Sequence, residues 1–240
     1  SGPPKGVRLS SANLQAASDA SVRHLGHNAE DTWLLAMPLS HVGGISILVR
    51  SAFTGGSVRL QTKFDSIAFS EAMKEDVTMV SVVPTVLQRI LQLDDGPYPG
   101  VRAVLVGGGP IPAGLLEAAS DVGLPVLPSY GMTETFGQIA TLRPGNTIEH
   151  RAHPLPGVDI RVESDGRIAV RGPQVFVGYL EEPDRVDEWF VTSDLGQLDP
   201  DGAVLVLGRT DNVIVSGGEN ISPERIEGLL SQIEEVDRVL

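Results

Sequence analysis

The chain has 240 residues, 41% of them hydrophobic and 20% charged, with a net charge of −13 and no cysteine. That is enough apolar material for a buried core, and no apolar run reaches the roughly 18 residues of a transmembrane helix. Disulfides and thiolate metal sites are excluded; a basic stripe for a nucleic-acid backbone is missing, so the expectation is a cytoplasmic protein with no nucleic-acid partner. Most of the charge is local: residues 181–240 hold 15 Asp/Glu against 4 Arg.

Short apolar runs alternate with amphipathic stretches, the pattern of an α/β fold. Strands are predicted over 33–37, 57–60, 79–83, 103–106 and 125–127, and helices over 13–25, 66–75, 84–93 and 112–122. Pro84 and Pro112 fall where a first helical turn tolerates proline. Beyond about residue 150 the pattern becomes β-rich, with strands over 158–162, 167–170 and 203–207 and turns at Asp165-Gly166 and Asp201-Gly202. A β-like segment over 213–215 and a final amphipathic helix over 223–240 follow. Ser222 would cap that helix, and Arg225 stands where a capping box wants Glu or Gln. The abrupt start at a glycine-rich segment and the helix running to Leu240 predict a piece of a longer enzyme.

The most informative stretch is Tyr130-Gly131-Met132-Thr133-Glu134-Thr135, read as a loop after the 125–127 strand. It offers a ring face for a base, a hydroxyl for a phosphate and a carboxylate for Mg²⁺. Ser1-Gly2-Pro3-Pro4-Lys5-Gly6 has the makings of a phosphate loop, although read alone it is more simply a solvated terminus. Gly107-Gly108-Gly109 follows a strand and lets backbone approach a flat ligand, or simply makes a tight turn. His41, after the 33–37 strand, is a candidate donor to a substrate oxygen or a capped structural residue. The pairs His24/His27 and His150/His153 match no metal-site spacing and read as surface residues. Asp194, placed after a strand ending at Val191, suits ribose hydroxyls or an Asx turn. Arg209 suits ribose or phosphate, with a possible hinge after it. Ser216-Gly217-Gly218-Glu219 is a glycine turn before the last helix.

Taken in order, SGPPKG, PLSHVGG, GGGPIP, YGMTET, TSDLG and GRTDNVIVSGGENISP resemble the acyl-adenylate-forming superfamily. The stretches over 34–48, 98–116 and 130–142 are most similar to the bacterial o-succinylbenzoate–CoA ligases of menaquinone biosynthesis, ahead of other fatty or aryl acid–CoA ligases. The resemblance implies part of a large N-terminal domain over 1–208, with mixed sheets, flanking helices and a small β-rich subdomain, then a hinge and the start of a small α+β domain over 209–240. It implies ATP, CoA and a small carboxylic acid as substrates, Mg²⁺ as cofactor, and a homo-oligomer as one possible state. Ser1, Gly2 and Lys5 would be the end of the phosphate loop. Gly107, Gly108, Gly109, Tyr130 and Gly131 would line the adenine site. Thr133 would contact the α-phosphate and Glu134 would hold the metal. Asp194 would bind ribose, with Arg209 beside it. His41 and Gln138 would face the acyl group, Asp211 would mark the hinge, and Gly217, Gly218 and Glu219 would approach CoA. Two positions depart from the pattern: Ser193 stands where glycine is usual and Ser40 where an aromatic is common. The lysine expected to assist adenylation lies beyond Leu240, so the 240 residues alone are expected to be catalytically incomplete.

Overall fold

A computed structural model describes residues 5–94, 96–145 and 151–211, the backbone of 214–216 and 219–221, and positions 223 and 226. In chain order the elements are β1 (Val7–Arg8), α1 (Ser11–Leu25), β2 (Thr32–Leu35), α2 (Val42–Thr54), β3 (Ser57–Leu60), α3 (Ser66–Lys74), β4 (Met79–Val82), α4 (Pro84–Leu91), β5 (Ala103–Val106) and α5 (Ala113–Asp121). Then come β6 (Val126–Met132), a 3₁₀ turn (Thr133–Thr135), β7 (Gly137–Thr141), β8 (His153–Pro154), β9 (Asp159–Val162), β10 (Arg167–Arg171) and β11 (Gly178–Tyr179). The last strands are β12 (Phe190–Leu198), β13 (Val204–Arg209), β14 (Ile214–Ser216) and β15 (Glu219–Ile221). The α/β reading holds. The expected helix over 223–240 lies almost wholly outside the described residues.

The main sheet has seven strands in the order β3-β2-β4-β5-β6-β7-β8. Its first five are mutually parallel, and β7 and β8 are antiparallel. Successive residues in β2, β4 and β5 point to opposite faces, and both faces are buried, as a parallel sheet covered by helices requires. Leu34, Val80, Val104 and Val106 meet Phe69, Met73, Leu87, Ile90 and Leu116 of α3, α4 and α5. Trp33, Leu35, Met79 and Leu105 meet Leu25 of α1 and Ile47 of α2 on the other face. A four-stranded antiparallel sheet, β13-β12-β10-β9, packs Ile168, Val170 and Val204 against Ile139 and Ala140 of β7. A bridge from Ala152 to Val204 ties the two sheets together.

Local signals explain most helix boundaries. Ser10 and Asn13 form a reciprocal capping box on α1, which ends at Gly26 in the left-handed conformation. Asp65 caps α3, and Pro84 opens α4. Pro112 is the N-cap of α5 rather than its first helical residue. The helix α2 was not predicted, because Gly43, Gly44 and several β-branched residues argue against one. Gly44 is nevertheless needed there: a Cβ would run into the Pro38 carbonyl oxygen. The first turn of α2 folds back on the segment leaving β2, and only hydrogen fits at that crossing.

At the opposite end of the sheet one ion pair ties three strands. Asp31 is buried and accepts from Arg102 Nε at 2.7 Å, Thr78 Oγ1 at 2.7 Å and the Asn28 N–H at 2.8 Å. Arg102 also donates to the Leu25 carbonyl at 3.0 Å, so the C-terminus of α1 joins the cluster. Burial pushes the Asp31 carboxyl up, but the bonds from Arg102, Thr78 and Asn28 outweigh it and bring it from 3.8 down to about 2. A group lowered in the folded state contributes stability above its unfolded value and loses it as pH falls through the folded one. The contribution, about 2 kcal/mol, should be present above roughly pH 4 and gone near pH 2. Denaturant midpoints measured across that window should fall in the wild type. The part of that slope due to this residue should vanish in Asp31→Asn, which starts less stable by about the same amount.

Candidate functional site

The stretch read as a loop after 125–127 is half strand. β6 continues through Tyr130, Gly131 and Met132 and pairs antiparallel with β7, with a bulge between Tyr130 and Gly131. The polar and glycine residues hid this strand from pattern reading. Gly131 is dictated by β7: a Cβ would overlap the Gly137 carbonyl. Phe136 (φ +52) and Gly137 (φ +97) both turn through the left-handed region to start β7. The buried Thr135 hydroxyl locks the turn, donating to the Gly137 carbonyl at 2.7 Å. Phe136 is itself buried, so its strained backbone is held by packing. The turn leaves Thr133 exposed and Glu134 half-buried at its tip.

Asp194 was expected after a strand, but lies in the middle of β12 and is 8% exposed. It sits in register with Arg209 on β13. Its two carboxylate oxygens have separate donors: Tyr130 OH at 2.6 Å on Oδ2 and Arg209 Nη1 at 3.0 Å on Oδ1. The Asp194 N–H donates to Thr192 Oγ1 at 3.0 Å. Burial first, then the charge of Asp194, pushes the Tyr130 hydroxyl above its ordinary range, so it remains a donor. Arg209 also forks onto Asp211, with Nε at 2.8 Å and Nη2 at 3.0 Å. Tyr130, Asp194, Arg209 and Asp211 thus form one chain of polar contacts across the two sheets.

Glu134 faces a partner that the sequence did not point to. Tyr179 OH donates to Glu134 Oε1 at 2.8 Å, and the Phe176 N–H donates to the Glu134 carbonyl at 2.7 Å. On the ring of the same Tyr179 sits Lys5 Nζ, 4.7 Å from the centroid. The structure therefore brings Lys5, Thr133, Glu134, Tyr130 and Asp194 into one neighbourhood.

The three glycines after β5 differ in why they are glycine. A Cβ on Gly107 would stand 2.6 Å from the Ser129 carbonyl oxygen, and Gly108 has φ +80. A Cβ on Gly109 would meet nothing within 4 Å. His41 is the exposed N-cap residue of α2, with no side-chain capping bond. Gln138 is buried: its Oε1 accepts from Ser21 of α1 at 3.0 Å and its Nε2 donates to Thr141. Its amide is thus engaged with the protein interior. Ser1, Gly2, Gly217 and Gly218 lie outside the described residues, and Glu219 is described only as backbone of β15.

Among the described residues, no three His, Asp or Glu side chains cluster as a metal cage. Glu134 alone fits a Mg²⁺ that keeps its remaining positions for phosphate oxygens and water. His27, read as a surface residue, is instead 2% exposed and lies edge-on to Trp33, with ring centroids 5.7 Å apart. Burial, then the charge of Arg50, lowers it to about 4, so it is neutral. His24 is half-buried and also lowered, chiefly by burial. His150 lies outside the described residues.

Residues 1–180 match the model of the AMP-binding enzyme family. The chain belongs to that family. It is 39% identical over 248 residues to a 2-succinylbenzoate–CoA ligase of Listeria monocytogenes, covering 99% of the chain and 53% of the relative. It is 40% identical over 256 residues to the enzyme of that name from Geobacillus kaustophilus, covering 98% and 52%. The o-succinylbenzoate coenzyme A synthetase of Bacillus subtilis, solved with AMP, superposes with a TM-score of 0.90 at 36% identity, covering 98% of the chain and 52% of that structure. A structure of the same synthetase with ATP and magnesium ion gives 0.89 at 37%, covering 97% and 53%. The chain spans about half the length of the curated relatives it matches.

One further residue stands out only in the structure. Arg50 on α2 is 4% exposed, and among the described residues no carboxylate pairs with it. Its guanidinium lies 5.8 Å from the Trp33 ring centroid, and Nη2 is 3.9 Å from where a Cβ on Gly137 would stand. Burial alone lowers it to about 10, so it stays charged. The glycine geometry makes a direct test. Gly131→Ala should cost about 1–3 kcal/mol by overpacking, while Gly109→Ala should stay within about 0.5 kcal/mol. Equilibrium unfolding of the two variants reads both.

Proposed function

We propose that this chain is the nucleotide- and acyl-binding part of an ATP-dependent acid–CoA ligase, an o-succinylbenzoate–CoA ligase of menaquinone biosynthesis. The observation that carries the reading is the convergence of Tyr130, Asp194, Thr133 and Glu134 on one end of β6. In this reading 1–208 belongs to the large domain, and 209–240 holds the hinge at Asp211 and the start of the small domain.

The first step joins a carboxylate to the α-phosphorus of ATP, expelling pyrophosphate; the CoA thiol then displaces AMP to give the thioester. The first step brings anions together, so donors must offset their repulsion. The exposed Thr133 hydroxyl donates to the α-phosphate. Asp194, oriented by Tyr130 and Arg209, keeps free lone pairs to accept the ribose hydroxyls. Gly107, Gly108 and Gly109 form a low wall for adenine, and Lys5, with Ser1 and Gly2, reaches the phosphates. Glu134 would hold Mg²⁺, which supplies neutralisation of phosphate charge. His41 faces the acyl group, Gln138 supports that wall from inside, and Gly217, Gly218 and Glu219 approach CoA.

Arg50 favours this acid over a monocarboxylate. o-Succinylbenzoate carries two carboxylates, and only one is activated. The other needs a counter-ion out of water, and a buried guanidinium with no carboxylate partner among the described residues meets that need.

Three experiments test the reading. Titration calorimetry with Mg·ATP should show binding that weakens at least about tenfold in Glu134→Ala and in Asp194→Ala. Thioester formation across a panel of acids, by the chain with its natural flanking sequence, should favour o-succinylbenzoate. Turnover of a fatty or simple aryl acid with none of o-succinylbenzoate would overturn the assignment. Arg50→Met should fold as stably as the wild type and raise the KM for the diacid by at least about tenfold, with little change for a monocarboxylate.

A further inference from the structure

We propose that Tyr179 is a positioning residue that joins the lysine of the phosphate segment to the glutamate of the β6 turn: its ring seats the Lys5 ammonium and its hydroxyl orients the Glu134 carboxylate. This rests on the nucleotide reading above and extends it to a residue outside every motif that supports it.

The geometry is specific to the two ends of one side chain. Tyr179 OH donates to Glu134 Oε1 at 2.8 Å, while Lys5 Nζ stands 4.7 Å from the ring centroid. Each contact has its own scaffold. On the lysine side, β1 pairs with β11 through Val7 and Tyr179, and the Leu180 N–H donates to the Gly6 carbonyl at 2.6 Å. Arg8 Nε closes on the Tyr179 carbonyl at 3.1 Å. The backbone just after Lys5 is therefore strapped to the strand that carries Tyr179. On the glutamate side, the Phe176 N–H holds the Glu134 carbonyl at 2.7 Å, and the Phe176 ring packs edge-on to Tyr179 at 4.8 Å. Phe176 is 2% exposed and also meets Phe190, so the aromatic support is rigid.

The chemistry follows from the placement. A carboxylate at a turn tip has free torsions, and a fixed phenol donor on one oxygen removes much of that freedom while leaving lone pairs for a metal. An ammonium over a ring face is attracted to it and loses reach, so a phosphate ligand finds it already placed.

The test separates the ring from the hydroxyl. Mn²⁺ with a non-hydrolysable ATP analogue is titrated into the purified protein, free metal is read by electron paramagnetic resonance, and analogue affinity without metal is read by calorimetry. Tyr179→Phe keeps the ring, so metal-free analogue affinity should stay within twofold while Mn²⁺ affinity in the ternary complex falls about tenfold. Tyr179→Leu should lose both. Thermal midpoints of wild type and Tyr179→Phe should coincide, which a merely structural role for the hydroxyl would not allow. Unchanged or tighter Mn²⁺ binding in Tyr179→Phe overturns this inference and leaves the nucleotide reading standing. A wild type that takes up neither analogue nor metal overturns both.

Discussion

The site depends on one close approach, between Gly131 on β6 and the Gly137 carbonyl on β7. β6 is the strand where the main sheet changes direction, with parallel β5 on one side and antiparallel β7 on the other. The antiparallel partner returns at once, so the connection is a tight turn. Its tip carries Thr133 and Glu134. A side chain at position 131 would push β7 away and carry the turn with it. Tyr130, one residue earlier, reaches across to Asp194 and fixes the second sheet against the first. Backbone crowding in one hairpin thereby sets where a hydroxyl, a carboxylate and a ring meet.

The electrostatics follow a common plan within a chain of net charge −13. Asp194 and Glu134 are each held by a tyrosine hydroxyl, at 2.6 and 2.8 Å. A phenol fixes the direction of a carboxylate through one oxygen and leaves lone pairs on both oxygens. Where a full cation is used, at Arg209, it is shared with Asp211 and stands 47% exposed at the rim. Arg50 reverses the arrangement: a cation out of water, resting on an aromatic face, with no carboxylate beside it among the described residues.

Pattern reading succeeded where local and tertiary preferences agree. The strands at 57–60 and 103–106 match their predicted bounds, and α1, α3 and α4 begin at or near their caps. It failed where a neighbour overrode local preference. α2 contains Gly43 and Gly44 near its start, yet forms because Gly44 is what lets it cross the segment leaving β2. Gly131 and Thr133 look like loop residues, yet the first is strand and the second opens the turn. His27 looked like a surface residue because spacing says nothing of depth; it is packed on Trp33. The partners of Gln138 were likewise out of reach of pattern: its amide is bonded to Ser21 and Thr141.

By itself the sequence determined the α/β class, the family, and most residues that converge on the site, because six short motifs in fixed order carry that information within themselves. It could not determine which side chains hold them. Tyr179 lies 45 residues from Glu134, and Asp194 lies 64 from Tyr130. No periodicity or spacing reports contacts at such separation, since they exist only once β11 has paired with β1 and β12 has packed against β6. Tertiary structure alone decided that Asp194 is buried mid-strand, that Arg50 has no carboxylate partner among the described residues, and that one tyrosine stands between the lysine and the glutamate.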